Sequence, residues 1–417
     1  MGGNVSSSGL PRGSSGVRRT AAVVLVAGVI GVVLLAGALV TGAIGSPKAS
    51  GIAVGSPSGP AAPTSTATAT SAPPSPGPTG SPVPSPTPGP TSTLVPAPLT
   101  GLLVSPAAAR RHPIAVMIDD HLGARPQSGF NAAAIVWQAP AEGGIPRYML
   151  VFQDTIPKSV GPIRSAREYF LEWAAEYRSM YVHAGGSPQA IATLRQYGGG
   201  GLVWNAEGLR FDGSFLFRVG FRIAPHNLYT DGAHLHALAA YLHVGDGTVK
   251  STWSFRRASR DAERPGPGSI TVSYPLYETI LYRYSPSTNS YLRYINGSKK
   301  PQVDAADGKV VAPKNIVILR MHFAPIAGPN PKGRLEATDI GSGPAWIATG
   351  GVTIQGTWRK AAKGAPTLLF GPGGGRIVLT AGQTFVNVMP YGYPVTISDG
   401  KAPLMASGLP GHGFNPS

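Results

Sequence analysis

Apolar positions between residues 113 and 253 alternate between short β-type runs and helical patterns. Four runs predict strands at Ile114–Ile118, Ala134–Trp137, Tyr148–Phe152 and Met180–His183. The first two are almost continuously apolar, as strands covered on both faces are. Because helical patterns separate these runs, we predict a mixed α/β domain over residues 99–256.

Three helices are predicted in that domain. Between Ala166 and Tyr177, aromatic residues recur on one helical face and glutamates on another, which is typical of a helix packed on a core. A second helix runs from Ser187-Pro188 to Tyr197, with serine as the cap and proline at the first helical position. A third begins at Thr230-Asp231 and runs to about Leu242.

Beyond residue 268 the pattern contains β-branched and aromatic runs and nothing helical. The charged, then turn-rich segment 256–268 suits a domain boundary. Turn signals such as Asn296-Gly297 separate the runs, as in an antiparallel meander, sandwich or barrel, so we predict an all-β domain over residues 266–398 and a flexible tail over 399–417. The predicted strands are Ile270–Tyr274, Ile280–Tyr284, Tyr291–Tyr294, Asn315–Phe323, Ala345–Ala348, Val352–Trp358, Thr367–Phe370, Ile377–Leu379 and Thr384–Val388.

The N-terminal segment has a membrane-type pattern. Residues 21–44 carry no charge, and as a helix at ~1.5 Å per residue they span about 36 Å, enough to cross a ~30 Å hydrocarbon core. We predict a transmembrane signal-anchor helix there, preceded by a basic tail over residues 1–20. Because Arg12, Arg18 and Arg19 precede the span, the positive-inside rule places the N-terminus in the cytoplasm. A cleaved secretory signal is the alternative.

Residues 45–98 hold 15 of the 42 prolines, together with many serines and threonines. Such a stretch cannot bury enough apolar surface to offset its ordering entropy, and its prolines keep it extended. We predict a disordered stalk. The chain would then be a single-pass protein of the cell membrane with its C-terminal domains outside the cytoplasm.

Composition narrows the classes of function. The 417 residues contain 35 Lys and Arg against 19 Asp and Glu, for a net charge of +16, and no Cys. Disulfides, thiolate metal sites and cysteine nucleophiles are therefore excluded. An exported basic domain is expected to meet anionic envelope polymers or lipid head groups and not nucleic acid, although the charge can also serve solubility alone.

Two stretches of the β domain interleave basic and aromatic residues. They are Tyr282-Arg-Tyr284 and Tyr291-Leu-Arg-Tyr294. Because neighbouring residues of a strand point to opposite faces, we expect the aromatic side chains to pack on the sheet and the arginines to face solvent, which does not favour single-stranded nucleic-acid binding.

Polar residues of the α/β domain concentrate in five segments at the predicted strand ends, where mixed α/β sheets bind ligands. We expect these segments to share one rim: Asp119–Gly129, Glu142–Arg147, Gly161–Arg167, His183–Ser187 and Pro225–Asn227. Arginines there can hold carboxylate or phosphate bidentately, and glycine N–H groups can approach an oxyanion. The ligand-binding candidates are His121, Arg125, Gln127, Ser128, Arg147, Arg164, Ser165, Arg167, Gly185, Gly186, Ser187, His226 and Asn227. The simpler alternative is that the glycines serve turns and the arginines pair with internal carboxylates.

Catalysis is a second interpretation of the same residues. The main candidates are Glu142, His183, Asp119 and Ser165. Asp119 or Glu142 is the acid or the carboxylate that orients the base, the base is His183, His121 or His226, and the nucleophile is Ser128, Ser165 or Ser187. No Gly-x-Ser-x-Gly elbow, Ser-x-x-Lys pair or nucleotide-binding glycine loop accompanies them, and we predict no cofactor. A divalent metal on Asp119-Asp120-His121 with His183 and His226 is a weaker alternative because the spacing matches no known signature, so no metal is predicted.

Six motifs occur in order along the chain: Pro113–Asp119, Ala124–Gly129, Glu142-Gly-Gly, Gly161–Arg167, Tyr181–Pro188 and Pro225–Thr230. Together they resemble the YerB-like family of bacterial envelope proteins. The resemblance extends into the β domain and implies a two-domain extracytoplasmic module, often a lipoprotein, without an established biochemical activity. This chain has no lipobox cysteine, which its membrane span would replace, and it departs from the family pattern at Asp120, Gln138, Pro146 and Glu168.

We therefore predict a membrane-tethered extracytoplasmic protein whose Arg- and His-rich cleft binds an anionic wall polymer or glycan. A wall hydrolase or transferase that uses the same cleft is the main alternative, and a structural adaptor of the envelope is the third. Protein partners and oligomeric state are not indicated by the sequence.

Overall fold

The computed structural model describes residues 93–275, 277–330 and 332–400. The predicted basic tail, the span 21–44, most of the stalk and the end of the C-terminal tail lie outside these ranges. Within them, no helix combines the length and the apolar character required to cross a bilayer.

Four α-helices occur in the described residues: α1 Pro106–Arg110, α2 Glu168–Ala175, α3 Pro188–Tyr197 and α4 Gly232–Tyr241. Helices α3 and α4 begin where capping predicts, because Ser187 Oγ accepts a hydrogen bond from Ala190 N–H at 3.3 Å and Asp231 accepts one from His234 N–H at 2.9 Å. Short 3₁₀ helices lie at Leu122–Ala124, Glu142–Gly144 and Asp261–Glu263.

The described residues are mostly β-structure. The first ten strands, β1–β10, are Val95–Pro96, Leu103–Val104, Ile114–Asp119, Ile135–Pro140, Pro146–Phe152, Met180–His183, Trp204–Glu207, Phe217–Arg218, Leu228–Tyr229 and Ser254–Arg256. The next twelve, β11–β22, are Ser269–Tyr274, Glu278–Ser285, Ser290–Ile295, Asn315–Met321, Phe323–Pro325, Leu335–Ala337, Gly341–Thr349, Val352–Lys360, Leu368–Phe370, Val378–Thr380, Thr384–Pro390 and Val395–Ser398.

Strands from both halves of the chain form one ten-stranded sheet, here called the central sheet. Its order is β19-β18-β17-β14-β21-β4-β5-β3-β6-β7. Separate sheets were expected for the α/β and all-β segments. The structure differs because β21 pairs in parallel with both β14 and β4 and so joins the two halves by main-chain hydrogen bonds. A second sheet, β13-β12-β11-β22, comes from the C-terminal half alone.

The central sheet has an apolar core on each face. Alternate residues of β3 point to opposite sides, so Val116 packs with α4 and the four-stranded sheet, and Met117 packs with α2 and α3. Strands β3 and β4 are buried along their whole length, as their continuous apolar runs predict. The two halves therefore share their hydrophobic cores as well as a sheet.

One expectation for the second sheet is wrong. Arg283 is exposed, as predicted, but Arg293 on β13 is fully buried. Its guanidinium donates to the hydroxyls of Tyr148 and Tyr282 and to Gln138 Oε1, at 2.8, 3.3 and 3.1 Å. Arg293 faces the central sheet because β13 packs on a neighbouring layer, which a strand pattern alone does not reveal.

Candidate functional site

Polar strand ends converge at one edge of the central sheet. Strand β5 runs antiparallel to β3 and β4, so its first residues lie beside their last ones, and Arg147 pairs in register with Asp119. Strand β6 is parallel to β3 and ends at the same edge. The extended chain at Arg164 lies between them, since its N–H donates to Met117 O and its carbonyl accepts from Ala184 N–H, both at 2.9 Å.

Asp119 is the centre of one half of this edge. Its Oδ2 accepts hydrogen bonds from Arg164 Nε at 2.8 Å and from His226 Nδ1 at 2.6 Å, and its Oδ1 accepts from His121 N–H at 3.0 Å. Burial by itself would raise the pKa of Asp119, but Arg164 and the two hydrogen bonds outweigh it, and this pKa lies below its ordinary value. The carboxylate thus stays charged and fixes both neighbouring side chains.

Glu142 is the centre of the other half. Arg167 Nη2 donates to both of its oxygens, and Arg147 Nη2 lies 3.5 Å from Oε2. Arg147 and Arg167 also donate to Ser165 Oγ. Burial would raise the pKa of Glu142, but the two guanidiniums lower it below its ordinary value. Burial and the charge of Arg167 lower the pKa of Arg147 to about 10, which leaves it protonated at neutral pH.

These groups form a surface that we call the arginine rim: Asp119, Glu142, Arg147, Arg164, Ser165, Arg167 and His226. Three guanidiniums there face two carboxylates, so the rim keeps excess positive charge after its internal pairing. The Arg164 side chain is 25% exposed, and its Nε donates to Asp119. Its two terminal nitrogens have no hydrogen-bond acceptor among the described residues. Arg164 is therefore the rim residue best placed to bind an external anion.

His226 and His121 lie beside Arg164. Their rings stack with centroids 4.7 Å apart and an interplanar angle of 14°. Asp119 fixes His226 through Nδ1, while Nε2 has no hydrogen-bond partner among the described residues and the side chain is 12% exposed. This arrangement leaves one imidazole nitrogen free for a ligand or for a proton.

Other sequence candidates serve the interior. Arg125 does not belong to the arginine rim. It pairs with Asp120 and with Glu278 of the C-terminal half. Gln127 donates to Asp119 O and Asp120 Oδ1 at 3.0 and 3.1 Å. Burial and the neighbouring Glu278 raise the pKa of Asp120 well above its ordinary value. This buried network joins the two halves of the chain and has a structural role.

Several further candidates are occupied by local structure. His183 is buried, with Nδ1 bound to Gly185 O and Nε2 to Asn205 Oδ1, both at 2.8 Å, so neither ring nitrogen is available as a base. Gly185 N–H donates to Glu207 at 3.0 Å instead of forming an oxyanion cradle. Gly186 pairs with Ala166 in an isolated bridge.

The remaining polar candidates are also held internally. Ser187 caps α3, Ser128 is buried in a backbone pair with Gly161, and Asn227 accepts a hydrogen bond from Arg218. None of these three side chains belongs to the arginine rim.

Sequence reasoning missed two arginines at this edge. Arg334, from the loop before β16, lies 3.9 Å from Glu142 and adds a fourth guanidinium from the C-terminal half. Arg222 donates to the carbonyls of Gly123, Arg125 and Pro126 and so joins two loops. No sequence signal marks Arg334, whereas Arg222 stands in an apolar run that fits no strand or helix.

A cavity of about 630 Å³ lies at the opposite end of the central sheet, where His112, Arg178 and Trp204 contribute to its wall. Within the described residues no three His, Asp or Glu side chains are grouped so that they could hold a metal ion, and the alternative of a metal on residues 119–121 has no geometric support there.

Comparisons with known proteins extend over both halves. A family model described as "Protein of unknown function (DUF3048) N-terminal domain" matches residues 99–244, and its counterpart, the DUF3048 C-terminal domain, matches residues 270–386. The chain is 31% identical over 315 residues to the "Putative lipoprotein YerB" of Bacillus subtilis (strain 168), covering 73% of this chain and 89% of that protein.

A solved structure is also similar. The crystal structure of YerB protein from Bacillus subtilis aligns with a TM-score of 0.65 and 30% sequence identity, over 73% of this chain and 99% of that chain. The resemblance drawn from the six motifs is confirmed by these matches.

Proposed function

Because the chain belongs to the YerB-like family and matches both the N- and the C-terminal DUF3048 family models, we propose that it binds an anionic ligand of the bacterial envelope, a wall polymer or glycan. In this proposal it is a single-pass membrane protein with a cytoplasmic N-terminus, and the arginine rim is its binding surface. The charge-free residues 21–44 after Arg12, Arg18 and Arg19 support the topology, and the name of the Bacillus relative supports an envelope location.

Arg164 carries this proposal. Asp119 fixes its Nε, so the planar guanidinium is oriented before a ligand arrives, and its terminal nitrogens remain free for two parallel hydrogen bonds. The surplus of guanidiniums around Glu142 adds long-range attraction for anions. A preorganised arginine fork on an exposed cationic surface fits carboxylate or phosphate groups of a polymer.

Retention on wall material tests the proposal. Full-length protein in neutral detergent is mixed with purified bacterial wall fragments, either intact or stripped of their anionic polymers by mild acid. We expect retention on intact fragments that weakens at high salt, and about tenfold or greater weakening for Arg164→Gln, the loss typical of a charged hydrogen bond. Arg195→Gln, on the exposed end of α3, is the matched control. Equal retention of Arg164→Gln and the wild type contradicts the proposal.

Hydrolysis is a second candidate, and the Asp119–His226 pair favours it. A carboxylate on Nδ1 leaves Nε2 as a base that could take a proton from water beside an anion held by Arg164. Ser165 and Ser187 are engaged by arginines and by helix capping, so water and not serine would be the nucleophile. Mass spectrometry of the same wall fragments decides: products that disappear in His226→Asn while retention persists indicate an enzyme.

A further inference from the structure

The three most exposed large apolar side chains among the described residues occur together. Ile223 is 82% exposed, Phe221 75% and Leu122 63%. They occupy the tips of two neighbouring loops, residues 121–126 and 219–226. Single exposed apolar residues are common on protein surfaces, but three large ones at one place mark an interaction surface. We call Leu122, Phe221 and Ile223 the apolar tip.

One side chain of the second loop holds the two loops together by donating hydrogen bonds to main-chain carbonyls of the first. Arg222, between the two apolar residues of the second loop, donates to Gly123 O at 2.7 Å and to Pro126 O at 2.7 Å. The stacked rings of His121 and His226 also connect these two loops. The apolar tip is therefore fixed in an exposed position and cannot simply fold back onto the core.

Two guanidinium groups lie at the apolar tip. Arg222 lies between Phe221 and Ile223 in the chain. His226 and Arg164 bond to the same oxygen of Asp119, which places the free guanidinium edge of Arg164 close to the base of the tip. Large apolar side chains beside guanidinium groups complement the surface of an anionic bilayer, where hydrocarbon lies just beneath phosphate groups.

We infer that this face docks on the surface of an anionic membrane, with the apolar tip entering the interface and Arg164 binding a lipid phosphate. The inference rests on the proposed function in one respect, the use of Arg164 as an anion contact, and it adds a lipid headgroup as a further ligand of that contact beside the wall polymer or glycan. Burial of the apolar tip supplies the attraction, and the guanidinium supplies the preference for anionic lipid.

The absence of cysteine makes a direct test possible, because one introduced thiol can be labelled specifically. Full-length protein carrying Ile223→Cys with an environment-sensitive dye is reconstituted into vesicles of phosphatidylcholine, with or without phosphatidylglycerol. We expect a blue-shifted emission, and quenching by spin-labelled lipid, when phosphatidylglycerol is present. The same dye on Val352→Cys, at the exposed first residue of β18, is the matched control and should report water.

Further variants separate the parts of the inference. In the Ile223→Cys background, Arg164→Gln should lower the apparent affinity for phosphatidylglycerol, measured from the dye shift, about tenfold. Leu122→Ser with Phe221→Ser should abolish the shift. Added inorganic phosphate at constant ionic strength should leave the shift largely unchanged, because free phosphate lacks the apolar contact; complete loss of the shift indicates a free-phosphate site and overturns membrane docking.

Two results overturn the inference without touching the proposed function. They are an unshifted dye at residue 223 on anionic vesicles, or equal shifts at residues 223 and 352. If wall-fragment retention remains sensitive to Arg164→Gln in that case, the arginine rim binds a wall anion and the apolar tip has no role at the bilayer. An equal shift on pure phosphatidylcholine, whose headgroup is zwitterionic, overturns the preference for anionic lipid that is assigned to Arg164.

Discussion

Asp120 and Glu278, one from each half of the chain, hold the same nitrogen of Arg125, at 2.8 and 2.7 Å. Both carboxyl side chains are completely buried. Burial and the adjacent Glu278 raise the pKa of Asp120 well above its ordinary value. The junction between the halves therefore favours a protonated Asp120, and its stability depends on pH.

An Asp120→Asn variant should show a weaker pH dependence of the free energy of unfolding than the wild type. Above the ordinary carboxyl pKa the unfolded chain releases the Asp120 proton while the folded chain keeps it, so the free energy of unfolding of the wild type falls with rising pH, by at most about 1.4 kcal/mol per pH unit for one proton. The amide does not titrate, so the variant should gain in relative stability between pH 4 and the raised pKa. Urea denaturation at several pH values measures the difference, and Asp261→Asn, at an exposed side chain, is the control. Parallel curves for wild type and Asp120→Asn would contradict this assignment.

Replacing Arg293 should destabilise the fold strongly. Arg293→Met removes a buried cation, leaves Gln138 Oε1 without its donor, and leaves the hydroxyl of Tyr148 with the single donor Gln138 Nε2. Loss of one partner from a buried charged network typically costs about 3–5 kcal/mol. Arg283→Met, at an exposed position of the adjacent strand, should cost less than about 0.5 kcal/mol. Denaturant midpoints at neutral pH measure both; similar values for the two variants would show that the network around Arg293 contributes little.

Asp119→Asn should weaken the fold at neutral pH and not in acid. A carboxyl with a lowered pKa stabilises the folded state above its ordinary pKa, and this contribution disappears as the pH falls through the lowered value. We expect a loss of about 1–3 kcal/mol in the free energy of unfolding at pH 7, typical of hydrogen bonds to a charged group. The gap between wild type and variant should narrow as the pH falls through the lowered pKa of the Asp119 carboxyl. A gap that stays constant with pH indicates a packing effect and not the ion pair with Arg164.

Variants of Ser187 distinguish a helix-capping role from a ligand-binding role. Ser187→Ala should lower the free energy of unfolding by about 1 kcal/mol, because α3 loses the acceptor for the Ala190 N–H. Ser187→Asp should restore most of this loss. Neither variant should alter retention on wall fragments. If Ser187→Asp keeps its stability but is retained less well on wall fragments, Ser187 takes part in ligand binding.

Local features of the chain predicted many elements because their causes are local. Ser187 and Asp231 predict the starts of α3 and α4, since each supplies an acceptor for a free helical N–H. Asn296 and Gly297 predict a turn, and both adopt positive φ, 50° and 71°. Continuous apolar runs predict β3 and β4 as strands covered on both faces.

Long-range pairing was not predictable in the same way. Nothing near Thr384 in the chain shows that β21 inserts beside β4, more than two hundred residues earlier. Arg293 looks like a solvent-facing strand residue until the second sheet is packed on the first. His183 looks like a base until Asn205 and Gly185 are seen to hold both of its nitrogens. The grouping of polar strand ends was predictable because strand direction places such ends at common edges, whereas the occupancy of each donor and acceptor depends on the packed structure.

The position of β21 has a consequence for how the protein is made. A chain emerging from the ribosome, or through an export channel, exposes β4 and β14 long before residues 384–390 arrive to fill the space between them. Until then both strands have unpaired edges that invite pairing with other chains. Biogenesis therefore cannot proceed half by half, and a nascent polypeptide ending at the boundary between the two family segments should require chaperone protection against aggregation.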